Sequence, residues 1–187
     1  MAGNDWMSYI PNNNLHLREI VMPGSHDAGV SEVHNDWKRV KVPSSWYICQ
    51  SQDIAGQLNS GARFFDLRFE MKGGTPTTVH ETAGVGGWGE DADSIFNSID
   101  NFLQANTREF VIVRVSHTDG TAGRAVSTSQ RNMMHHSRYY TAGAQNNLSR
   151  YPIRAFRGKA IVAYGSDAIA NPDPSIGQIR FGKASNA

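Results

Sequence analysis

The sequence predicts an α/β protein built on a parallel sheet or barrel, and three observations carry that expectation. Strand-like apolar runs alternate with helical stretches, the pattern of consecutive βα units. One run, residues 62–70, alternates with a strict period of two. Polar groups suited to acid–base chemistry fall at the ends of three successive predicted strands, where parallel α/β folds build their sites. With 187 residues, among them 8 Phe, 6 Tyr and 4 Trp, the chain is long enough for one domain with a substantial core. That domain is expected over residues 1–170. The stretch 171–187, rich in Pro and small residues, reads as a linker-like or frayed tail.

The first predicted strand is Glu19-Ile20-Val21-Met22. The Pro23-Gly24 turn after it delivers Ser25, His26 and Asp27 to the strand end. Residues 51–60 read as a short helix, with Ile54 and Leu58 one turn apart and Gly61 as the stop signal. The next strand, 62–70, sets Arg63, Phe65, Leu67 and Phe69 on one face, suited to packing under helices. Phe64, Asp66 and Arg68 lie on the other, facing a barrel mouth. A third strand, Thr78-Val79-His80-Glu81, brings His80 to its end. The cluster Gly84, Gly86, Gly87, Trp88 and Gly89 then reads as a flexible loop between strand and helix.

Residues 91–105 form an amphipathic helix with Ile95, Ile99, Phe102 and Leu103 as its apolar stripe, and with Asp91 and Asp93 in the first turn favouring its dipole. A strand over 110–116 follows. Val111, Val113 and Val115 point one way; Phe110, Ile112, Arg114 and Ser116 point the other. The polar segment 118–150 has no clean period and reads as a short helix within a long loop. A fifth strand covers 158–164, and a sixth starts within 176–181.

The formal charge of +1 gives no general attraction to nucleic acid or anionic lipid. The single cysteine, Cys49, excludes an internal disulfide framework and reads as a small buried hydrophobe. No apolar run approaches the roughly 18 residues of a membrane span. The first residues lack the basic start and apolar core of an export signal. They fit a cytoplasmic chain, a mature form or a domain of something larger, and a secreted or effector domain is favoured over a cytoplasmic resident.

Four stretches carry a family resemblance: WMSYIPNNNLHLREIVMPGSHDAG, SQDIAGQLNSGARFFDLRFE, VHETAG and REFVIVRVSH. Together they resemble the X region of phosphatidylinositol-specific phospholipase C, most closely its bacterial, metal-independent branch. The likeness covers roughly residues 5–117 and, more weakly, 157–164. It implies a TIM-barrel-like phosphodiesterase fold. An eight-strand barrel of this kind takes about 250 residues, so the five or six parallel strands here imply an incomplete or compact version. An open sheet edge invites pairing, so a homodimer or the rest of a longer chain is expected to cover it.

The resemblance also implies roles. His26 is expected as general base and His80 as general acid, because imidazole titrates near neutrality. Arg68 is expected to hold the phosphate, standing where eukaryotic relatives bind calcium. Asp27 and Asp66 orient the histidines and balance Arg68. The family contacts the sugar through a lysine near the end of the fourth strand; the corresponding candidates here are Arg114, Ser116 and His117. The family's aspartate from the second barrel half, which supports the first histidine, has no counterpart in the sequence. The expected substrate is a phospholipid at a membrane surface, with no cofactor or metal. Trp37, Trp46 and Tyr47, in the 30–50 insertion, serve either as lipid-facing aromatics or as core anchors. Two competing readings stand beside this one. The first is a divalent-metal glycerophosphodiester or sphingolipid phosphodiesterase, with Glu70 and Glu81 as ligands. The second is an inactive lipid-binding or toxin module.

Overall fold

The computed structural model describes residues 3–140, 148–165 and 179–181. Eight strands form one sheet: β1 (Gly24–Ser25), β2 (Asp36–Lys38), β3 (Phe64–Lys72), β4 (Thr75–Thr82), β5 (Val85–Asp91), β6 (Val111–Thr118), β7 (Ala160–Gly165) and β8 (Ile179–Phe181). Their order is β2-β5-β4-β3-β6-β7-β8, with β1 against β3. Three helices complete the core fold: α1 (Ile54–Asn59), α2 (Ala92–Ala105) and α3 (Ala122–Met133). Among the described residues no pairing joins β2 to β8, so the sheet is an unclosed, barrel-like surface.

The expected parallel unit is β1-β3-β6-β7-β8, paired in parallel throughout. The other half departs from expectation. β3, β4 and β5 are antiparallel neighbours, and β2 adds antiparallel to β5. The turn Lys72-Gly73-Gly74-Thr75 explains the first reversal, because Gly73 and Gly74 both take positive φ, which tight hairpins require. Apart from Gly84, which lies in the turn before it, the glycine cluster after His80 is strand β5 rather than a loop. It is glycine-rich because other groups press on it: a Cβ on Gly87 would overlap the Tyr47 ring, and one on Gly89 would overlap the Gly29 carbonyl.

The first predicted strand moves as well. Residues Leu17–Glu19 form a 3-10 turn, and pairing begins only at Gly24. A Cβ on Gly24 would meet Phe64 Cβ at 3.0 Å, so glycine lets β1 approach β3 closely. The segment after 118 carries a longer helix than expected, the 12 residues of α3. The sixth strand is present as β8, and the tail expected over 171–187 otherwise lies outside the described residues.

The period-two reading of β3 holds in the fold. Arg63, Phe65, Leu67 and Phe69 are all buried, and the three apolar ones join Val111, Val113, Val115 and Val162 under the helices. From α2, Ile95, Phe96, Ile99, Phe102 and Leu103 pack against them, each contributing about 1.5–3 kcal/mol of burial. Asp91 is the N-cap of α2, its Oδ1 accepting from Ser94 N at 2.8 Å. On the other face, Met7, Phe110, Ile153, Phe156 and Ile161 make a second cluster, with Ile112 packed against it. That cluster fills the lower part of the sheet's inner face and leaves the upper rim, at the C-terminal ends of the parallel strands, to polar groups.

Candidate active site

The rim begins with a strained turn. After β1 the chain turns at Asp27, whose φ is 48°, a left-handed conformation that non-glycine residues seldom adopt. The turn is held by Ala28 N donating to Asp66 O at 3.0 Å and Gln50 Nε2 donating to His26 O at 2.8 Å. It aims three side chains from two elements at one another: His26 and Asp27 from the turn, and Asp66 from β3.

Asp27 is the hub. The residue is only 3% exposed. Oδ1 lies 2.9 Å from Arg68 Nε, while Oδ2 lies 3.2 Å from His26 Nε2 and 3.7 Å from His80 Nε2. Asp66, also buried, brings Oδ2 to 2.7 Å from His26 Nδ1 and Oδ1 to 3.9 Å from Arg114 Nε. The His26 ring therefore has a partner in either protonation state. With Nδ1–H donated to Asp66, Nε2 is free to accept from Arg68 Nη2 at 3.3 Å; once protonated, it can donate to Asp27 instead. The partners assign this tautomer. Asp66 is thus the carboxylate that holds His26 through Nδ1. His80, on β4, keeps Nδ1 buried and without a partner among the described residues.

Arg68 stands at the inner edge of a cleft of about 220 Å³, lined also by Glu70, Glu81, His117 and Asp119. The three expected head-group residues separate here. Arg114 is exposed beside Asp66, and His117 lies opposite Arg68 in register. Ser116 does not face the mouth. A register shift between Leu67 and Arg68 makes it the extra residue of a bulge, so its buried hydroxyl donates to Leu67 O at 3.1 Å. His117 takes the position that simple alternation gave to Ser116.

Glu70 and Glu81 are not open for a metal ion. The ammonium of Lys38, a buried residue of β2, sits between them: Nζ donates to Glu70 Oε2 and lies 2.7 Å from Glu81 Oε2. It also lies 5.0 Å from the centre of the Trp88 ring. Burial by itself would lower the pKa of Lys38, but hydrogen bonds to the two carboxylates outweigh it and raise the value, so the residue stays charged. Nothing local in the sequence marked Lys38; its partners lie 32 and 43 residues away.

Cys49 is half-buried, and its Sγ lies within 4.8 Å of ligand-type atoms of Asp27 and His80. Burial, reinforced by Asp27 and opposed by Arg68, pushes the thiol up to about 11. It is therefore no thiolate nucleophile at neutral pH. Tyr47 is buried against Gly87, whereas Trp37 and Trp46 are 46% and 67% exposed.

Glu90 supports the turn from below. Its N–H donates to Gly29 O at 2.8 Å, and its buried carboxylate accepts from Ile54 N at 3.2 Å. Burial, with added repulsion from Asp53 and Asp91 and opposition from the Ile54 N–H, pushes this carboxyl up to about 7 from its ordinary value of 4.5. The folded state therefore holds the proton more tightly than the unfolded chain. The stability from this group is complete below about pH 4.5 and is lost as pH rises through 7, roughly 3 kcal/mol in all. Glu90→Gln, which keeps an acceptor for Ile54 N–H, is expected to remove that decline when urea denaturation is compared at pH 4.5 and pH 8. Equal pH dependence in the two proteins would refute it.

No protein-family model matches the chain. Among curated proteins, a 1-phosphatidylinositol phosphodiesterase of Staphylococcus aureus is 37% identical over 76 residues, covering 41% of this chain and 22% of the relative. The human PI-PLC X domain-containing protein 2 is 29% identical over 136 residues, covering 60% and 43% respectively. Among solved structures, a phosphatidylinositol-specific phospholipase C from Staphylococcus aureus matches with a TM-score of 0.66 at 22% identity, covering 87% of this chain and 53% of the other. The corresponding protein from Listeria monocytogenes matches with a TM-score of 0.67 at 16% identity, covering 92% and 61%. The fold is thus an incomplete or compact version of the TIM-barrel-like fold of these phospholipases. In sequence the chain is homologous to proteins of the phosphatidylinositol-specific phospholipase C type, over the X region. It spans less than half the length of the curated relatives it matches.

Proposed function

We propose that this chain is a metal-independent phosphodiesterase of the phospholipase C type, cleaving a phosphatidylinositol-like lipid. The observation that carries the reading is the Asp27-centred cluster, in which one buried carboxylate faces His26, Arg68 and His80 together. In the reaction, the inositol 2-hydroxyl attacks its own phosphorus while the bond from phosphorus to the glycerol oxygen breaks. His26 Nε2 takes the hydroxyl proton, with Asp66 holding Nδ1–H and so fixing the ring orientation. His80 delivers a proton to the departing diacylglycerol oxygen. Arg68, braced by Asp27, stabilises the charge that builds on the phosphoryl oxygens.

Two fixed cations support metal independence. Arg68 balances Asp27, and Lys38 balances Glu70 and Glu81, which leaves the divalent-metal reading without Glu70 and Glu81 as a free pair. Exposed Val33, Trp37, Val40 and Trp46 favour work at a lipid surface. The open sheet favours a partner strand from a second copy or from a longer chain.

The deciding experiment is head-group release from phosphatidylinositol, phosphatidylcholine and sphingomyelin vesicles, with and without a chelator. Chelator-resistant release from phosphatidylinositol, giving a cyclic phosphate, is expected. Chelator-sensitive release rescued by calcium or magnesium would establish the metal-dependent reading, and binding without release the inactive module. Arg68→Lys is expected to lose about 10²-fold or more in turnover, because a point charge replaces a planar fork aimed at two oxygens. Full activity in that variant would remove Arg68 as the phosphate clamp.

A further inference from the structure

Asp27 holds its contacts from a left-handed backbone position, φ 48°, which Asp tolerates better than most non-glycine residues and which hydrogen bonds on either side of it hold in place. Its bracing centres on a residue of α1. Gln57 is buried, and its side-chain amide spans the turn. Oε1 accepts from Ser25 Oγ at 2.5 Å, just before His26. Nε2 donates to Ala28 O at 2.8 Å, just after Asp27, and to Gln52 O at 2.7 Å. The orientation of the amide is determined by its partners. Ala28 and Gln52 offer only carbonyl oxygens and must meet the NH2, while the Ser25 hydroxyl is free to rotate and donate. α1 itself is held in place: Asp53 caps it through Gly56 N at 2.8 Å, and Glu90 accepts from Ile54 N. Gln57 touches none of the groups assigned to proton transfer or phosphate binding, yet both residues flanking His26-Asp27 hang on it.

We propose that Gln57 is a positioning residue that clamps the two ends of the His26–Asp27 turn and so sets Asp27 against Arg68 and His80. The proposal rests on the phosphodiesterase reading above for its kinetic consequences, but not for its geometry. An apolar residue of similar size would fill the same space, so packing alone does not call for an amide. Without it, Ala28 O and Gln52 O lose their buried donor, the turn is left to the bonds from Ala28 N to Asp66 O and from Gln50 Nε2 to His26 O, and the contacts of Asp27 loosen. Misplacement on the ångström scale costs about 10²-fold in turnover.

The test uses the intact chain and three proteins: wild type, Gln57→Leu and Gln57→Glu. For Gln57→Leu the expectation is a fall of about 10- to 100-fold in kcat on phosphatidylinositol vesicles, with KM little changed and an unaltered far-UV circular dichroism spectrum. Gln57→Glu keeps an acceptor for Ser25 but sets a carboxylate against two carbonyls. Protonation restores one of the two donors, so the ratio of its activity to that of wild type is expected to rise as pH falls. Proton NMR provides a readout independent of turnover: the downfield Nδ1–H resonance of His26, held by Asp66, is expected in wild type and shifted or broadened in Gln57→Leu. If wild type releases no head group, the phosphodiesterase reading fails and the NMR comparison still decides the positioning role. Wild-type kcat or an unmoved His26 resonance in Gln57→Leu overturns the proposal. Should Gln57→Leu not fold, a flat activity ratio for Gln57→Glu across pH overturns it as well.

Discussion

Replacing either His26 or His80 with Ala is expected to lower phosphodiesterase turnover by about 10²–10⁴-fold, the usual contribution of a positioned acid or base. The fold should be indifferent to the first change, because the His26 side chain is 68% exposed and packs in neither core cluster. The two variants should differ in how they respond to the substrate. A general acid matters only when the leaving oxygen needs a proton, so a substrate with a good leaving group, such as a nitrophenyl ester of inositol phosphate, should restore much of the rate to His80→Ala. His26→Ala should gain little, since the attacking hydroxyl still lacks its base. Equal rescue of both variants, or near wild-type turnover on the natural lipid in either, would show that the two-histidine division of labour is wrong. Thermal unfolding measured alongside separates a lost proton carrier from a lost fold.

The largest effect on stability is expected at Glu109. Arg63 is fully buried at the foot of β3, its Nε donating to Glu109 Oε2 at 2.8 Å, its Nη1 donating to Leu58 O at 2.8 Å and to Ala62 O at 2.7 Å, and its guanidinium 4.4 Å from the centre of the Phe102 ring. The other oxygen of Glu109 accepts from Ser8 N at 3.1 Å, which ties the N-terminal turn to the sheet. Glu109→Ala strands a guanidinium in the core, a change that costs about 3–5 kcal/mol when one partner of a buried pair is removed. Removing both charges together, as in Arg63→Met with Glu109→Leu, is expected to cost far less, because no unpaired ion remains. Urea denaturation of the single and double variants checks this. A loss below about 1 kcal/mol in Glu109→Ala would mean that water reaches the site and that the pair is a surface feature in energetic terms. Three residues along β3 from Arg63 lies Asp66, so this anchor also bears on the rim.

The alternation over residues 62–70 was legible because a strand with one covered face must repeat every second residue. The stripe of α2 was legible because a helix against a sheet must repeat every three or four. The Pro-Gly-Ser-His-Asp and Asp-Leu-Arg stretches were legible as a set because chemistry-bearing residues of unusual type occurred in a familiar order. Those local patterns determined the α/β class, the apolar face of the sheet and the candidates His26, Asp27, Asp66, Arg68 and His80.

Only the tertiary structure decided the rest. Periodicity says which side of a strand is covered but nothing about the direction of its neighbour, so the sequence alone suggests parallel strands and a loop where the structure has the antiparallel β3-β4-β5 hairpins. A glycine-rich strand has no side-chain pattern to show, and β5 is glycine-rich because Tyr47 and Gly29 crowd it from segments distant in sequence. The bulge at Ser116 arises from pairing between β3 and β6, and it exchanged the outlooks of Ser116 and His117. Lys38 meets Glu70 and Glu81 across more than 30 residues of chain, a contact between three strands that no local window contains. The same holds for Asp66 beneath His26: the motif supplied the carboxylate, but only the crossing of the Asp27 turn over β3 determined which ring nitrogen it would hold.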